Sequence, residues 1–125
     1  MNETIASDVS KERAWVQSDE YQYVRKLSDN TFQVVETVRE EGDLCAVYMC
    51  YVDLTDYSTE NIEGYLKFFG YLDLKSVEAV YGDAAQKIIA ECIAETITRG
   101  IGTLLFTGSL EAAELFLQNL CELGQ

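Results

Sequence analysis

Apolar residues recur with two different periods along this chain, and the change of period divides it into two halves. Between residues 21 and 54 they alternate with polar residues or run continuously, which is typical of β-strands. From residue 58 onward they return every three or four positions, which is typical of amphipathic helices. Strands followed by helices predict an α+β fold in which helices pack on an antiparallel sheet.

Three strands are predicted in the first half, over residues 21–27, 31–38 and 44–54. The short turn segments 28–30 and 39–43 join them, so neighbouring strands should pair antiparallel as a meander. The third run, LCAVYMCYVDL, is apolar at odd and even positions alike, which predicts a strand covered on both faces. Residues 101–107 are a candidate fourth strand, so we expect a sheet of three to four strands.

The most apolar long segment runs from Asp83 to Gly100 and predicts the helix on which the other elements pack. Its apolar arc consists of Ala85, Ile88, Ile89, Ala90, Cys92, Ile93, Ala94 and Ile97. Its solvated edge consists of Lys87, Glu91, Glu95 and Arg99. Asp83 is the predicted N-cap, with Gln86 completing a capping box, and Gly100 is the predicted end.

Three shorter helices complete the prediction, so we expect three to four helices packed mainly on one face of the sheet. Their predicted N-caps are Ser58, Asp73 and Ser109, and their predicted stops are Gly70, Gly82 and Gly124. Residues 12–125 are predicted to form a single domain, preceded by a flexible N-terminal segment, 1–11. The apolar residues Ala14, Trp15 and Val16 form a patch that should dock on another part of the fold, and their pattern indicates no particular secondary structure.

Charge is the feature of composition that departs most from the average. Twenty-two acidic and nine basic residues give a formal net charge of −13. Such a field repels nucleic acids and membrane surfaces, so we expect no direct binding to either. It attracts a basic protein surface, including the groove of a nucleic-acid-binding nuclease. The alternative is that the acidity serves only solubility.

Cysteine and histidine usage excludes further classes of protein. Histidine is absent and the four cysteines form no CxxC pair, which argues against a structural zinc site. Cys45 and Cys50 should point to opposite faces of their strand. Scattered free thiols fit a reducing cytosol, and the chain contains neither a membrane-length apolar run nor a leader pattern, so we expect a cytoplasmic protein.

No motif indicates an enzyme. Nucleophilic triads most often use histidine as the base, and no phosphate-binding loop is present. The GxG in RGIGTLLFTG follows a helix and precedes a strand, which is the reverse of the dinucleotide-binding context. The acidic residues lack calcium-loop spacing. We therefore predict a non-enzymatic protein without a cofactor or a metal ion.

Two acidic groups are the candidate partner-binding residues. The first surrounds the second predicted turn and consists of Glu36, Glu40, Glu41 and Asp43. The second lies between the third strand and the first helix and consists of Asp53, Asp56, Glu60 and Glu63. Such carboxylates can present a phosphate-like array to a basic groove, although Glu60 and Glu63 are also explained by a helix N-terminus that favours negative charge.

Residues 52–95 resemble a segment of small acidic accessory proteins of Gram-positive mobile genetic elements. The likeness lies in VDLTDYS, in a short helix ending FFGY, in VYGD and in IIAECIAE, and residues 104–117 are compatible with how such chains end. The resemblance implies an inhibitor of host defence, of the antirestriction or anti-CRISPR type, that imitates the charge of DNA.

The resulting hypothesis is a non-enzymatic cytosolic protein-interaction module that acts as such a mobile-element inhibitor through an acidic DNA-mimicking surface. A self-associating structural or adaptor domain is the first alternative. An enzyme or metal protein built on carboxylates and tyrosines is the second. The sequence leaves the partner, the binding face and the oligomeric state open.

Overall fold

The computed structural model of the chain describes residues 14–19 and 21–123. Its centre is an antiparallel sheet in the order β1–β2–β3–β4–β5. The strands are β1 Val16–Asp19, β2 Gln22–Lys26, β3 Thr31–Arg39, β4 Cys45–Asp53 and β5 Thr103–Gly108. The predicted α+β meander is confirmed, with one strand more than the three to four expected. The predicted flexible segment 1–11 lies outside the described residues.

Four α-helices cover the two faces of this sheet. They are α1 Thr59–Phe68, α2 Leu74–Tyr81, α3 Ala85–Ile101 and α4 Leu110–Gln118. Short 3-10 turns span Leu54–Asp56 and Gly82–Ala84, and a π-helical turn spans Asn119–Leu123. Helices α1, α2 and α3 share one apolar core with the sheet, and α4 shares a second core with the opposite face. No helix in the described part of the chain has the length and apolar character needed to cross a membrane.

The long pairing of β3 with β4 explains why both faces need cover. Along β4, Cys50 and Val52 are buried against α1–α3, whereas Cys45 and Val47 are buried in the core that α4 completes. This confirms the predicted doubly covered strand and the opposite orientation of the two cysteines. All four cysteines are buried.

Helix α3 has the predicted apolar arc, but both of its ends differ from the prediction. Asp83 is not its N-cap: Gly82 ends α2 with a positive φ, and the chain passes at once through a 3-10 turn that contains Asp83. The N-cap is Ala84, which makes no side-chain capping bond, so the predicted capping box with Gln86 does not form. At the other end, the helix continues through Gly100 to Ile101.

Gly102 is the residue that turns α3 into β5. A Cβ at this position would overlap the carbonyl oxygen of Thr98, which is fixed helical backbone. The backbone amide of Gly102 donates to that same oxygen at 2.8 Å. The second glycine of the GxG string, Gly102, is therefore explained by the close approach of helix and strand, and this explanation requires no nucleotide.

The other predicted caps are confirmed. Ser58 accepts from the amide of Asn61, Asp73 from that of Ser76, and Ser109 from that of Ala112. Gly70 and Gly82 follow α1 and α2 with positive φ angles of 91° and 54°. Gly124 lies outside the described residues.

Strand β1 is the element that the sequence pattern did not indicate. Val16 pairs with Val24 of β2, and Trp15 packs on the core beneath α4. The guanidinium of Arg25 lies over the Trp15 ring, 4.6 Å from its centroid. Trp15 thus docks as predicted, whereas Val16 is 49% exposed and begins an edge strand.

Candidate functional site

A row of polar side chains crosses the sheet beside the apolar core that α1, α2 and α3 share with it. The strand register places Asp19, Gln22, Glu36 and Tyr48 side by side on four successive strands. Gln22 and Glu36 are buried, and the Gln22 amide donates to Glu36 at 3.4 Å. The hydroxyl of Ser18 donates to the Gln22 carbonyl oxygen Oε1 at 2.8 Å. A chain of hydrogen bonds therefore leads from the sheet edge to a buried carboxyl.

Helix α3 brings two further carboxylates to this row. Glu91 and Glu95 lie one helical turn apart, and with Asp19 they border a cavity of about 300 Å³. The polar lining of this cavity is Ser18, Asp19, Gln22, Glu91 and Glu95. Its apolar lining is Phe69, Tyr71, Ile88 and Cys92. These residues define the acidic cleft, which lies between the β1–β2 edge, α3 and the connection from α1 to α2.

The carboxyl groups around the acidic cleft oppose one another's ionisation. Burial, and then the charges of Glu95 and Asp19, raise the pKa of Glu36 to about 7, against the opposing effects of Gln22 and Arg99. Burial also raises the pKa of Glu91, even though Lys87 opposes the shift. Partial burial and the nearby Asp19 raise the pKa of Glu95. A cation placed in the cleft would relieve this repulsion and favour the ionised forms.

One wall of the acidic cleft is aromatic. Phe69 and Tyr71 line it, and the ring of Tyr71 meets that of Tyr81 edge-on at 6.3 Å. Burial raises the pKa of the Tyr71 hydroxyl. Carboxylates next to aromatic faces form a suitable environment for an organic cation, because the carboxylates accept its hydrogen bonds and the rings attract its charge.

Exposed apolar side chains adjoin Phe69, Tyr71 and Tyr81 in the sequence. Phe68, Leu72 and Val80 are 78%, 74% and 74% exposed. The ring of Phe68 contacts Phe69 at 5.2 Å, which connects the surface with the cleft. Exposed apolar side chains such as these are suited to a protein interface.

The first predicted acidic group is only partly at the surface. Glu36 is 7% exposed and lies under α3, so its burial removes it from a surface array. Glu40 is half-buried and accepts from the Tyr48 hydroxyl at 3.5 Å. Glu41 and Asp43 are exposed in the turn between β3 and β4.

In the second predicted group, two carboxylates cap local structure. Asp53 accepts from the amide and the hydroxyl of Thr55, and these bonds lower its pKa. Glu63 accepts from the amide of Leu74 at 3.1 Å, at the start of α2. Asp56 and Glu60 are exposed.

The structure does not bring the two predicted groups together. Glu36 lies opposite Tyr48 in the middle of β4, and the other members of the two groups flank opposite ends of this nine-residue strand. At about 3.3 Å per residue, this strand separates them by roughly 25 Å or more. The carboxylates that do converge are Asp19, Glu91 and Glu95, none of which was a predicted site residue. Their available signal was weak: Glu91 and Glu95 share one edge of the predicted helix.

Within residues 14–19 and 21–123, no group of three or more cysteine and acidic side chains is arranged to hold a metal ion. Comparison of the chain with protein-family models, with curated proteins and with solved structures finds no match. The chemistry of the acidic cleft is therefore the main guide to function.

Glu63→Ala tests whether the Glu63 carboxylate caps the start of α2. We expect it to lower the free energy of unfolding by about 1 kcal/mol, because the Leu74 amide loses its acceptor. Glu41→Ala removes the same charge from an exposed turn and should change stability by less than about 0.5 kcal/mol. Denaturant unfolding of both variants measures the difference. Equal effects would contradict the capping role.

Glu36→Gln tests the buried carboxyl through the pH dependence of stability. The folded protein keeps the Glu36 proton up to about pH 7, whereas the unfolded chain releases it near the ordinary value of 4.5. Stability therefore falls as pH rises between these values, and the Glu36 contribution is on the order of 3 kcal/mol. The variant lacks this loss, because its amide is neutral throughout.

Denaturant unfolding at about pH 5 and about pH 8 measures the effect. We expect the variant and the wild type to match within roughly 1 kcal/mol at the lower pH, and the variant to be the more stable at the higher pH. Glu114→Gln, at an exposed position of α4, serves as the control and should follow the wild type. A constant difference between Glu36→Gln and the wild type would show that this carboxyl is solvated.

Proposed function

We propose that this protein is a non-enzymatic interaction module that binds a basic surface of a partner protein and takes its cationic side chains into the acidic cleft. The observation that carries the proposal is the convergence of Asp19, Glu91 and Glu95 on a cavity with an aromatic wall. The raised pKa values of Glu91 and Glu95 support it, because they indicate negative charge that a bound cation would stabilise.

The dimensions and lining of the cleft favour an arginine or lysine side chain. Its volume of about 300 Å³ is at the lower end of the range for small-ligand sites. Ile88 and Phe69 offer apolar surface to the methylene stem, and the carboxylates receive the charged head. Arginine fits best, because its planar guanidinium can stack on Tyr71 and donate to two carboxylates at once.

The net charge of −13 assists the encounter. Exposed carboxylates outside the cleft, such as Glu41 and Asp56, add to a field that steers a basic partner toward the molecule. Steering by such distant charges raises the association rate, whereas contacts inside the cleft slow dissociation. Salt weakens both effects, and it weakens the exposed charges more.

The partner class that we propose is a nucleic-acid-binding enzyme, such as a nuclease, whose basic surface normally holds phosphates. The acidity of the chain supports this class, as does the resemblance of residues 52–95 to mobile-element proteins. In that setting the module would act as an inhibitor of host restriction or CRISPR nucleases. The acidic cleft and the neighbouring Phe68, Leu72 and Val80 would then be its contact surface, in place of an extended array that mimics DNA.

Two double variants with the same net charge test the site. Glu91→Gln with Glu95→Gln neutralises two of the three carboxylates of the cleft, and Glu111→Gln with Glu114→Gln neutralises exposed positions on α4, on the other side of the sheet. Each pair changes the formal charge from −13 to −11, since two acidic residues are removed. Calorimetric titration with an oligo-arginine peptide at low and high salt provides the measurement.

We expect the cleft pair to weaken peptide binding by at least about tenfold, because it removes charge-assisted hydrogen bonds. The α4 pair should cause only the small loss that its charge change produces. In a pull-down from a Gram-positive lysate, the wild type and the α4 pair should retain a nucleic-acid-handling enzyme that the cleft pair loses. Equal losses by both pairs would contradict a specific cleft and leave a diffuse acidic field.

A further inference from the structure

Another cavity lies on the α4 side of the sheet, on the face opposite the acidic cleft. Its volume is about 280 Å³, and it is lined by Tyr21, Thr37, Arg39, Cys45 and Leu110. The strands bring these residues together, since the amide of Thr37 donates to the carbonyl oxygen of Tyr21 at 2.8 Å and Arg39 pairs with Cys45. Cys45 is buried in the core that α4 completes, and Leu110 packs against that core. We call this space the α4-side cavity.

The α4-side cavity differs in charge from the rest of the molecule. None of its described lining residues is acidic, whereas acidic residues line three other cavities of the described chain. The acidic residues of the adjacent turn, Glu40, Glu41 and Asp43, lie outside its lining. Arg39 supplies a positive charge, and Arg99 donates from α3 to the backbone oxygen of Arg39 at 3.1 Å, which brings a second guanidinium to the same strand end. The local charge therefore suits an anion.

The polar groups of this cavity have few partners of their own. The hydroxyl oxygen of Thr37 is buried and has no hydrogen-bond partner in the described part of the chain. Thr37 lines the cavity, so another χ1 rotamer can carry this hydroxyl into it. Arg39 is exposed and forms no ion pair with residues 14–19 or 21–123. A buried hydroxyl without a partner costs free energy, and a ligand that accepts its hydrogen bond would offset that cost.

The lining matches a small carboxylate that carries a short apolar tail. The planar guanidinium of arginine fits the two oxygens of a carboxylate, and the hydroxyls of Thr37 and Tyr21 can donate further hydrogen bonds. Leu110 and the buried Cys45 offer apolar surface to the tail. The volume lies at the lower end of the range for small-ligand sites, which limits the ligand to a few heavy atoms.

Charge also limits the ligand to a monoanion. The cavity has one lining arginine, and the whole molecule carries −13. Each additional negative charge on a ligand increases its repulsion by this field, so a dianion such as phosphate is disfavoured.

We propose that the α4-side cavity is a binding site for a short-chain monocarboxylate. The guanidinium of Arg39 binds both carboxylate oxygens, the Thr37 hydroxyl donates a further hydrogen bond, and the apolar tail displaces water from Leu110. The site is independent of the proposed function, because the acidic cleft and this cavity lie on opposite faces of the sheet.

An NMR titration of the full chain, labelled with ¹⁵N, tests the site with sodium butyrate as the probe. We expect saturable amide shifts at residues 37, 39 and 110, with a millimolar dissociation constant, because the probe has a single charge and few atoms. Butyramide has a similar shape without the charge and should give no such shifts, nor should sodium chloride at matched ionic strength. Sodium phosphate should bind at least about tenfold more weakly than butyrate.

Arg39→Gln should weaken butyrate binding by at least about tenfold, because the carboxylate loses its charged donor. Lys75→Gln, at an exposed position of α2, is the matched control: each variant removes one cation and changes the formal charge from −13 to −14. The control should bind butyrate within about twofold of the wild type. Thr37→Val replaces the unpartnered hydroxyl with a methyl group and should weaken binding by roughly fivefold while the fold is retained.

Circular dichroism of each variant checks folding before the titration. Shifts with butyrate that do not exceed those with sodium chloride would overturn the proposal. Phosphate binding as tight as butyrate binding would also overturn it, because the cavity would then accept anions in general. Equal losses from Arg39→Gln and Lys75→Gln would contradict it as well, since they would reflect net charge alone.

Discussion

The structure depends on the burial of both faces of the β3–β4 pair. Strand β4 places Cys50 and Val52 on one side and Cys45 and Val47 on the other, and all four are buried. A sheet of this kind needs a helical layer on each face, and the chain supplies α1–α3 for one and α4 for the other. Strand pairing and helix packing together then determine where polar side chains remain on the sheet.

The acidic cleft follows from this arrangement. Helix α3 covers the apolar part of its sheet face, which includes Val24 and Val34. Its residues Glu91 and Glu95 lie near the end of this face where β2 and β3 carry Gln22 and Glu36. Burying a carboxyl costs free energy unless it is protonated or paired, and the raised pKa of Glu36 expresses that cost. An apolar residue at this position would avoid that cost.

Much of the architecture was predictable, because turn chemistry and local periodicity act over short distances. The caps at Ser58, Asp73 and Ser109 and the doubly covered β4 all follow from neighbouring residues. Strand β1 was missed because it is short and its apolar residues show no alternation. The N-cap of α3 was missed because Gly82 allows a 3-10 turn that takes up Asp83.

The polar row and the acidic cleft were beyond prediction, because the row depends on the register of four strands and the cleft on the placement of α3 over the β1–β2 edge. Glu36 shows the limit well: it shares the parity of Phe32 and Val34, which indicates an inward side chain, but a run of acidic residues after it favours a surface turn. Only the cross-strand neighbours Gln22 and Tyr48 show that it lies within the layer.

The most direct test is an NMR titration of the side-chain carboxyl carbons of Glu36, Glu91 and Glu95 in the free protein. Burial of Glu36 next to the acidic cleft predicts that it titrates at about pH 7, and convergence of Glu91 and Glu95 on the cleft predicts that they titrate above their ordinary value of 4.5. Addition of an oligo-arginine peptide should lower all three values. Titration of all three near 4.5, unchanged by the peptide, would show separate solvated carboxylates and contradict the cleft.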